Sequence, residues 1–137
     1  MTAGLDIDRA AADLEEAPPE QVLRWAADAL GAGVVFATGF GAEGCVIIDV
    51  IARHRLPIEV VTLDTGLLFP ETHALWRALE ARYAIAIRAI APARTVDEQA
   101  AEHGPALWAR EPDRYCALRK TGPLRAALAG RPGWVTA

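Results

Sequence analysis

Val34-Val35-Phe36-Ala37-Thr38-Gly39-Phe40-Gly41-Ala42-Glu43-Gly44 is the stretch on which the fold turns. It passes from four apolar residues into a glycine-rich turn, after which Val46, Ile47, Val50 and Ile51 recur at helical spacing up to Arg53, His54 and Arg55. A short unbroken apolar run suits a strand covered on both faces, and cations in a last turn suit the negative end of a helix dipole. The pattern repeats downstream. Residues 58–63 read as a second strand that enters the turn Asp64-Thr65-Gly66, Pro70 opens a helix through Leu75, Leu79 and Tyr83, and residues 85–90 read as a third strand. Strands that alternate with helices pair in parallel through crossovers, so the predicted fold is α/β, a three-layer sandwich around a parallel sheet.

Outward from this centre the signals weaken. Residues 5–17 have faint helical periodicity, and a firmer helix starts at Pro19 and is closed by Gly31 and Gly33. Beyond the third strand come a polar helix over residues 95–103, a loop through Pro105 and Pro112, a helix over residues 118–129 and a short strand at Trp134-Val135-Thr136.

A chain of 137 residues with 53% hydrophobic content can build one packed domain, which excludes a disordered protein. The acidic start has no basic flank followed by an apolar run, and no stretch approaches the roughly 20 apolar residues of a membrane span, so the expectation is a soluble, cytoplasmic protein with no membrane partner. Cys45 and Cys116 lie far apart, which argues against a disulfide framework. The net charge of −4 argues against nucleic-acid binding, yet residues 110–137 hold six basic side chains against Glu111 and Asp113. That segment points either to a local anion site or to a solvated, arginine-rich helix face.

Ligands of parallel sheets bind beyond the carboxyl ends of the strands, where strand order reverses. Thr38, Gly39, Phe40, Gly41, Ala42 and Glu43 leave one such end, where backbone N–H groups and a helix dipole can meet a phosphate or sulfate. Leu63, Asp64, Thr65 and Gly66 leave another, with Asp64 open to either ligand contact or a turn-capping role. The first loop has neither the Gly-Lys-Ser/Thr ending of a Walker A loop nor the spacing of a dinucleotide fingerprint. His54, His73 and His103 have no partners at metal or catalytic spacing.

These motifs carry a resemblance. Residues 37–43 are similar to the modified pyrophosphate loop of sulfonucleotide reductases, and Leu63-Asp64-Thr65-Gly66-Leu67-Leu68-Phe69-Pro70-Glu71-Thr72 resembles that family's Leu/Ile-Asp-Thr-Gly-x-Leu-x-Pro-Glu-Thr motif. Cys116-Ala117-Leu118-Arg119-Lys120 with Pro123-Leu124 looks like the Cys-Cys-x-x-Arg-Lys-x-x-Pro-Leu segment of the adenylyl-sulfate branch. The resemblance implies a sheet of the adenine nucleotide α-hydrolase type, ordered 3-2-1-4-5. It also implies a substrate, adenylyl sulfate or 3′-phosphoadenylyl sulfate, with its adenosine against residues 63–66 and its sulfate near Arg119 and Lys120. Residues 1–32 are then an N-terminal helical segment, and residues 33–137 a nucleotide-binding α/β domain that is incomplete at its C-terminus.

In that family a cysteine thiolate on a C-terminal tail attacks the sulfuryl sulfur, AMP leaves, and thioredoxin or glutathione clears the S-sulfocysteine to sulfite. No residue of this chain matches that nucleophile, so no catalytic residue is assigned and the chain alone is expected to be inactive; a homo-oligomer is left open. The iron–sulfur branch has two adjacent cysteines where this chain has Tyr115-Cys116, and a [4Fe–4S] cluster takes four thiolates. Cys116 is therefore either the remnant of a cluster ligand or a small packed hydrophobe, and no cofactor is expected in this chain. Gly44 and Gly122 stand where the family has aspartate and glutamate. An ATP pyrophosphatase, the neighbouring class, needs a Ser-Gly-Gly-x-x-Ser loop that Phe40 and Glu43 do not provide.

Overall fold

The apolar runs form a parallel sheet in the computed structural model, which describes residues 4–137. Residues 1–3, the start of the expected N-terminal segment, lie outside the described residues. In chain order the elements are α1 (Ile7–Asp13), α2 (Pro19–Leu30), β1 (Val35–Ala37), α3 (Ala42–Arg53), β2 (Glu59–Leu63), α4 (Pro70–Tyr83) and β3 (Ile87–Ile90). There follow α5 (Val96–His103), α6 (Leu107–Arg110), α7 (Pro112–Cys116), a π-helical turn (Ala117–Thr121), α8 (Gly122–Leu128) and β4 (Trp134–Val135). The strands lie in the order β3-β2-β1-β4, all parallel, with Phe36 opposite Val60 on one side and Val135 on the other.

Alternation along the strands divides the core into two layers. Val34 and Phe36, with Ile58, Val60 and Ile87, pack against Leu23 and Ala27 of α2, Ile48 and Ile51 of α3, and Leu79 of α4. Val35, Val61 and Ile90 face the other way, onto Ala127 and Leu128 of α8. Phe36 and Val61 are fully buried, and each such side chain contributes about 1.5–3 kcal/mol through its removal from water. The expected three-layer α/β sandwich is what the chain forms. No helix among the described residues is long and apolar enough to cross a membrane.

Local chemistry sets the boundaries that matter for the site. Proline opens α2 and α4 at a first-turn position where its missing N–H costs nothing. Thr95 and Glu98 cap α5 reciprocally: the Thr95 hydroxyl accepts the Glu98 N–H and the Glu98 carboxylate accepts the Thr95 N–H. The helix expected over residues 118–129 is longer and less regular than its pattern implied. It begins at Pro112 and ends at Leu128, and its middle widens into the π turn, where the Gly122 N–H reaches back to Ala117 O. Pro123 has no N–H to offer and its ring crowds the preceding turn, so a locally widened helix accommodates it where a regular one would break. A Cβ on Gly122 would sit 2.7 Å from Ala117 O, so this turn leaves no room there for a side chain.

Candidate functional site

Where strand order reverses around β1, a crevice of about 300 Å³ opens at the carboxyl ends of β1 and β2. Thr38, Gly39 and Phe40 form one wall, Thr62, Leu63 and Thr65 with Leu68 and Thr72 a second, and Lys120, Leu124 and Trp134 the third. Its size is at the lower end of small-molecule sites. A larger hollow of about 580 Å³, bordered by Arg55, Tyr83 and Ile85, lies at the opposite, amino-terminal ends of the strands, away from the loops where parallel sheets bind ligands.

The first wall is held by two threonines. The Thr62 hydroxyl donates to Thr38 O at 2.8 Å, and the Thr38 hydroxyl accepts the Phe40 N–H at 3.0 Å, which leaves its own proton free to donate. This short turn forces Phe40 to a φ of 65°, a left-handed conformation unusual for a residue with a Cβ. The Phe40 ring anchors it: the residue is 8% exposed, and the ring lies 5.8 Å from that of Trp76. Helix α3 starts immediately after, with Gly41 at its N-cap and no side-chain cap. Its first helical bond is Cys45 N–H to Gly41 O, so the N–H groups of Ala42, Glu43 and Gly44 precede any helical bond and follow directly on the Thr38–Phe40 wall. Helix and turn are in close contact, since a Cβ on Gly44 would lie 2.6 Å from the Thr38 hydroxyl. The Glu43 carboxylate folds back beside Gly41.

In the second wall, the Asp64 carboxylate accepts the Gly66 N–H at 3.0 Å and the Thr65 hydroxyl accepts the Leu67 N–H at 3.2 Å. Asp64 therefore fastens its own turn, the capping role left open by the sequence. Gly66 has a φ of 77°, which glycine tolerates without strain.

The third wall separates two residues that the sequence puts side by side. Lys120 lines the crevice, and its ammonium lies 5.7 Å from the centre of the Tyr115 ring. Arg119 does not line it. It is 2% exposed, its Nε and Nη2 donate to Thr65 O at 3.0 and 2.6 Å, and its Nη1 donates to Arg94 O. Cys116 and Cys45 are both unpaired and neither lines the crevice; the Cys116 Sγ lies 4.0 Å from the Thr121 hydroxyl.

The structure thus brings Thr38, Gly39, Phe40, Leu63, Thr65 and Lys120 around one hollow. Gly41, Ala42 and Glu43 do not line it but form the head of α3 directly after Phe40, while Asp64 and Gly66 shape the turn. Leu68, Thr72, Leu124 and Trp134 also line the hollow and were not singled out in the sequence. Leu68, Thr72 and Leu124 lie inside the quoted motifs, which was the available signal.

Comparison with known proteins agrees with the motifs. The model of the phosphoadenosine phosphosulfate reductase domain matches residues 33–136. The chain is 44% identical over 117 residues to an adenosine 5′-phosphosulfate reductase of Oceanobacillus iheyensis, covering 85% of this chain and 49% of that protein. It is 46% identical over 116 residues to adenosine 5′-phosphosulfate reductase 1 of Bacillus subtilis, covering 84% of this chain and 50% of that protein. The chain spans about half the length of the curated relatives it matches. Among solved structures it is similar to phosphoadenylyl-sulfate (PAPS) reductase from Candida auris in a phosphate complex, with a TM-score of 0.84 and 32% identity, over 95% of this chain and 65% of that one.

Proposed function

The chain belongs to the phosphoadenosine phosphosulfate reductase family, and from that premise we propose that it forms the sulfonucleotide-binding part of a reductase acting on adenylyl sulfate or its 3′-phosphorylated form. The observation that carries this reading is the crevice at the sheet's reversal point, with Lys120 in one wall and, directly after the Thr38–Phe40 wall, the unbonded N–H groups at the head of α3. Between them there is room for an anionic group, and the turn at residues 64–66 offers backbone N–H and C=O groups to an adenine edge. The Thr38 hydroxyl can donate one further hydrogen bond.

The chemistry we propose for the whole enzyme is thiol-dependent. A thiolate attacks the sulfuryl sulfur, a sulfur–sulfur bond forms, the sulfur–oxygen bond breaks, and AMP or its 3′-phosphate leaves with the electron pair. A dithiol such as thioredoxin, or glutathione, then reduces the S-sulfocysteine and releases sulfite. Because neither Cys45 nor Cys116 lines the crevice, that thiolate comes from residues beyond these. A [4Fe–4S] cluster takes four thiolates, and the donors present, the Tyr115 phenol beside the single thiol of Cys116, do not fit it. We propose that no cluster forms here. We place the reaction in the cytoplasm, where thioredoxin and glutathione keep thiols reduced.

Calorimetric titration with adenylyl sulfate, 3′-phosphoadenylyl sulfate, AMP and ATP tests the reading. A sulfonucleotide should bind in preference to ATP. Preference for ATP, or pyrophosphate release on its addition, would overturn it. A second reading, a nucleotide-binding domain without turnover, is favoured by a crevice wall that carries no thiol. Sulfite release from adenylyl sulfate with a thiol donor, assayed beside an intact reductase tail, separates the two: turnover supports the first reading, and binding without turnover the second.

A further inference from the structure

Arg119 is buried with no acidic partner among the described residues. All three of its hydrogen bonds go to main-chain carbonyls, two to Thr65 O and one to Arg94 O, so a single guanidinium ties the turn after β2 to the loop between β3 and α5. The fit is close on both sides, since a Cβ on Gly66 would lie 3.2 Å from Arg119 Nη2 and 3.0 Å from Val96 Cγ2. Thr65 lines the crevice and Arg119 does not, so the guanidinium grips the turn from outside. Successive residues on a helix point in different directions, about 100° apart in an α-helix and somewhat less in the wider π turn, and Lys120 takes the direction into the hollow while Arg119 takes the one toward the turn.

We infer that Arg119 is a positioning residue that fixes the 64–66 turn in the conformation that receives the adenosine, and that it does not itself contact the sulfate. The inference rests on the proposed binding of adenine sulfonucleotides. The fork of the guanidinium is essential to it, because two carbonyls 29 residues apart in sequence must be held together; an ammonium supplies the charge without that geometry.

The test compares Arg119→Gln, Arg119→Lys and Lys120→Ala by calorimetry with AMP and adenylyl sulfate, below the unfolding midpoint of each variant. Arg119→Gln should weaken both ligands by the same factor, about 10- to 100-fold. Lys120→Ala should weaken adenylyl sulfate and leave AMP much less affected. Arg119→Lys should recover only part of the AMP affinity. Wild-type affinity for AMP in Arg119→Gln, a loss confined to adenylyl sulfate, or full recovery in Arg119→Lys would each overturn the inference. A readout on the unaltered chain covers variants that fail to fold: the Arg119 Nε–H resonance should exchange slowly and shift alike with AMP and adenylyl sulfate. A shift with adenylyl sulfate alone would place the guanidinium on the sulfate and refute the positioning role. If the unaltered chain binds no adenine nucleotide, the functional reading falls and takes this inference with it; unchanged binding by a folded Arg119→Gln removes the inference alone.

Discussion

Phe40 carries two opposed contributions that a pair of substitutions can separate. Its ring is packed on Trp76 and is 8% exposed, while its backbone sits at a φ of 65°. Phe40→Ala removes the ring at a cost of about 3–5 kcal/mol and leaves a Cβ in the left-handed region, where an L-residue is destabilised by about 1–2 kcal/mol. Phe40→Gly loses the ring and one methyl more but sheds that backbone strain, against which glycine's greater freedom when unfolded weighs about 0.5–1 kcal/mol. Relief of the strain outweighs the glycine term by up to about 1.5 kcal/mol, less whatever the lost methyl still buries, so the glycine variant should be at least as stable as the alanine one, by up to about 4 °C in midpoint for a domain of this size. This departs from the order found at ordinary helix and strand positions. Urea and thermal unfolding followed by circular dichroism measure it, with the same pair at Phe36 as control. Phe36 is fully buried on β1 and is not among the residues at positive φ, so alanine should exceed glycine there. A Phe40→Gly protein clearly less stable than Phe40→Ala, as at Phe36, would refute the argument that the ring holds a strained turn in place.

Thr62→Val removes the donor to Thr38 O inside the sheet and should cost about 1–3 kcal/mol in urea unfolding, because a buried carbonyl loses its partner. Lys120→Ala should weaken adenylyl sulfate by about 1.5–3 kcal/mol in calorimetry, the range for charge-assisted bonds, with adenosine little affected. Equal loss for both ligands would remove Lys120 from the sulfate. The Glu59 carboxyl, bonded by Arg88 at 2.6 Å and Arg131 at 2.7 Å, is held below the ordinary glutamate range mainly by the Arg88 bond. A depressed carboxyl stabilises the fold above its unfolded value and ceases to do so as pH falls through its folded value. The margin of the native chain over Glu59→Gln, about 0.2–1 kcal/mol for partly exposed pairs, should therefore shrink as melting is followed from about pH 6 to about pH 3. Thr95→Ala opens the capping box of α5 and should cost about 1 kcal/mol in the same melts.

Much of the fold was legible because its signals are local. The four apolar residues at 34–37 announce a strand buried on both faces, Pro19 and Gly31 bound α2, and Pro70 opens α4. The segment at residues 112–128 was not legible in the same way. Its pattern puts Pro112 in a loop and runs the helix over residues 118–129 through Gly122 and Pro123 as if regular, whereas in the structure Pro112 opens a helix and the backbone widens into a π turn just ahead of Pro123. Whether such a proline interrupts or widens a helix depends on what the helix packs against, and here Ala127 and Leu128 join the layer under Val35 and Val61. That is a tertiary fact with no local trace.

The site divides along the same line. The glycine loop and the 64–66 turn lie in motifs that the backbone forms by itself, so sequence reasoning could reach them. The left-handed Phe40 and the threonine pair depend on distant partners, Trp76 lying 36 residues from Phe40 and Thr62 lying 24 from Thr38. Arg119 is the instructive case, because a sign was present. Both basic residues were read onto one helix, and neighbours on a helix do not face the same point. A single sulfate held by Arg119 and Lys120 together would therefore need two long side chains to converge from different directions. Charge and adjacency made the pair look like one anion site, whereas Lys120 lines the crevice and Arg119 is bonded to the main chain behind its wall.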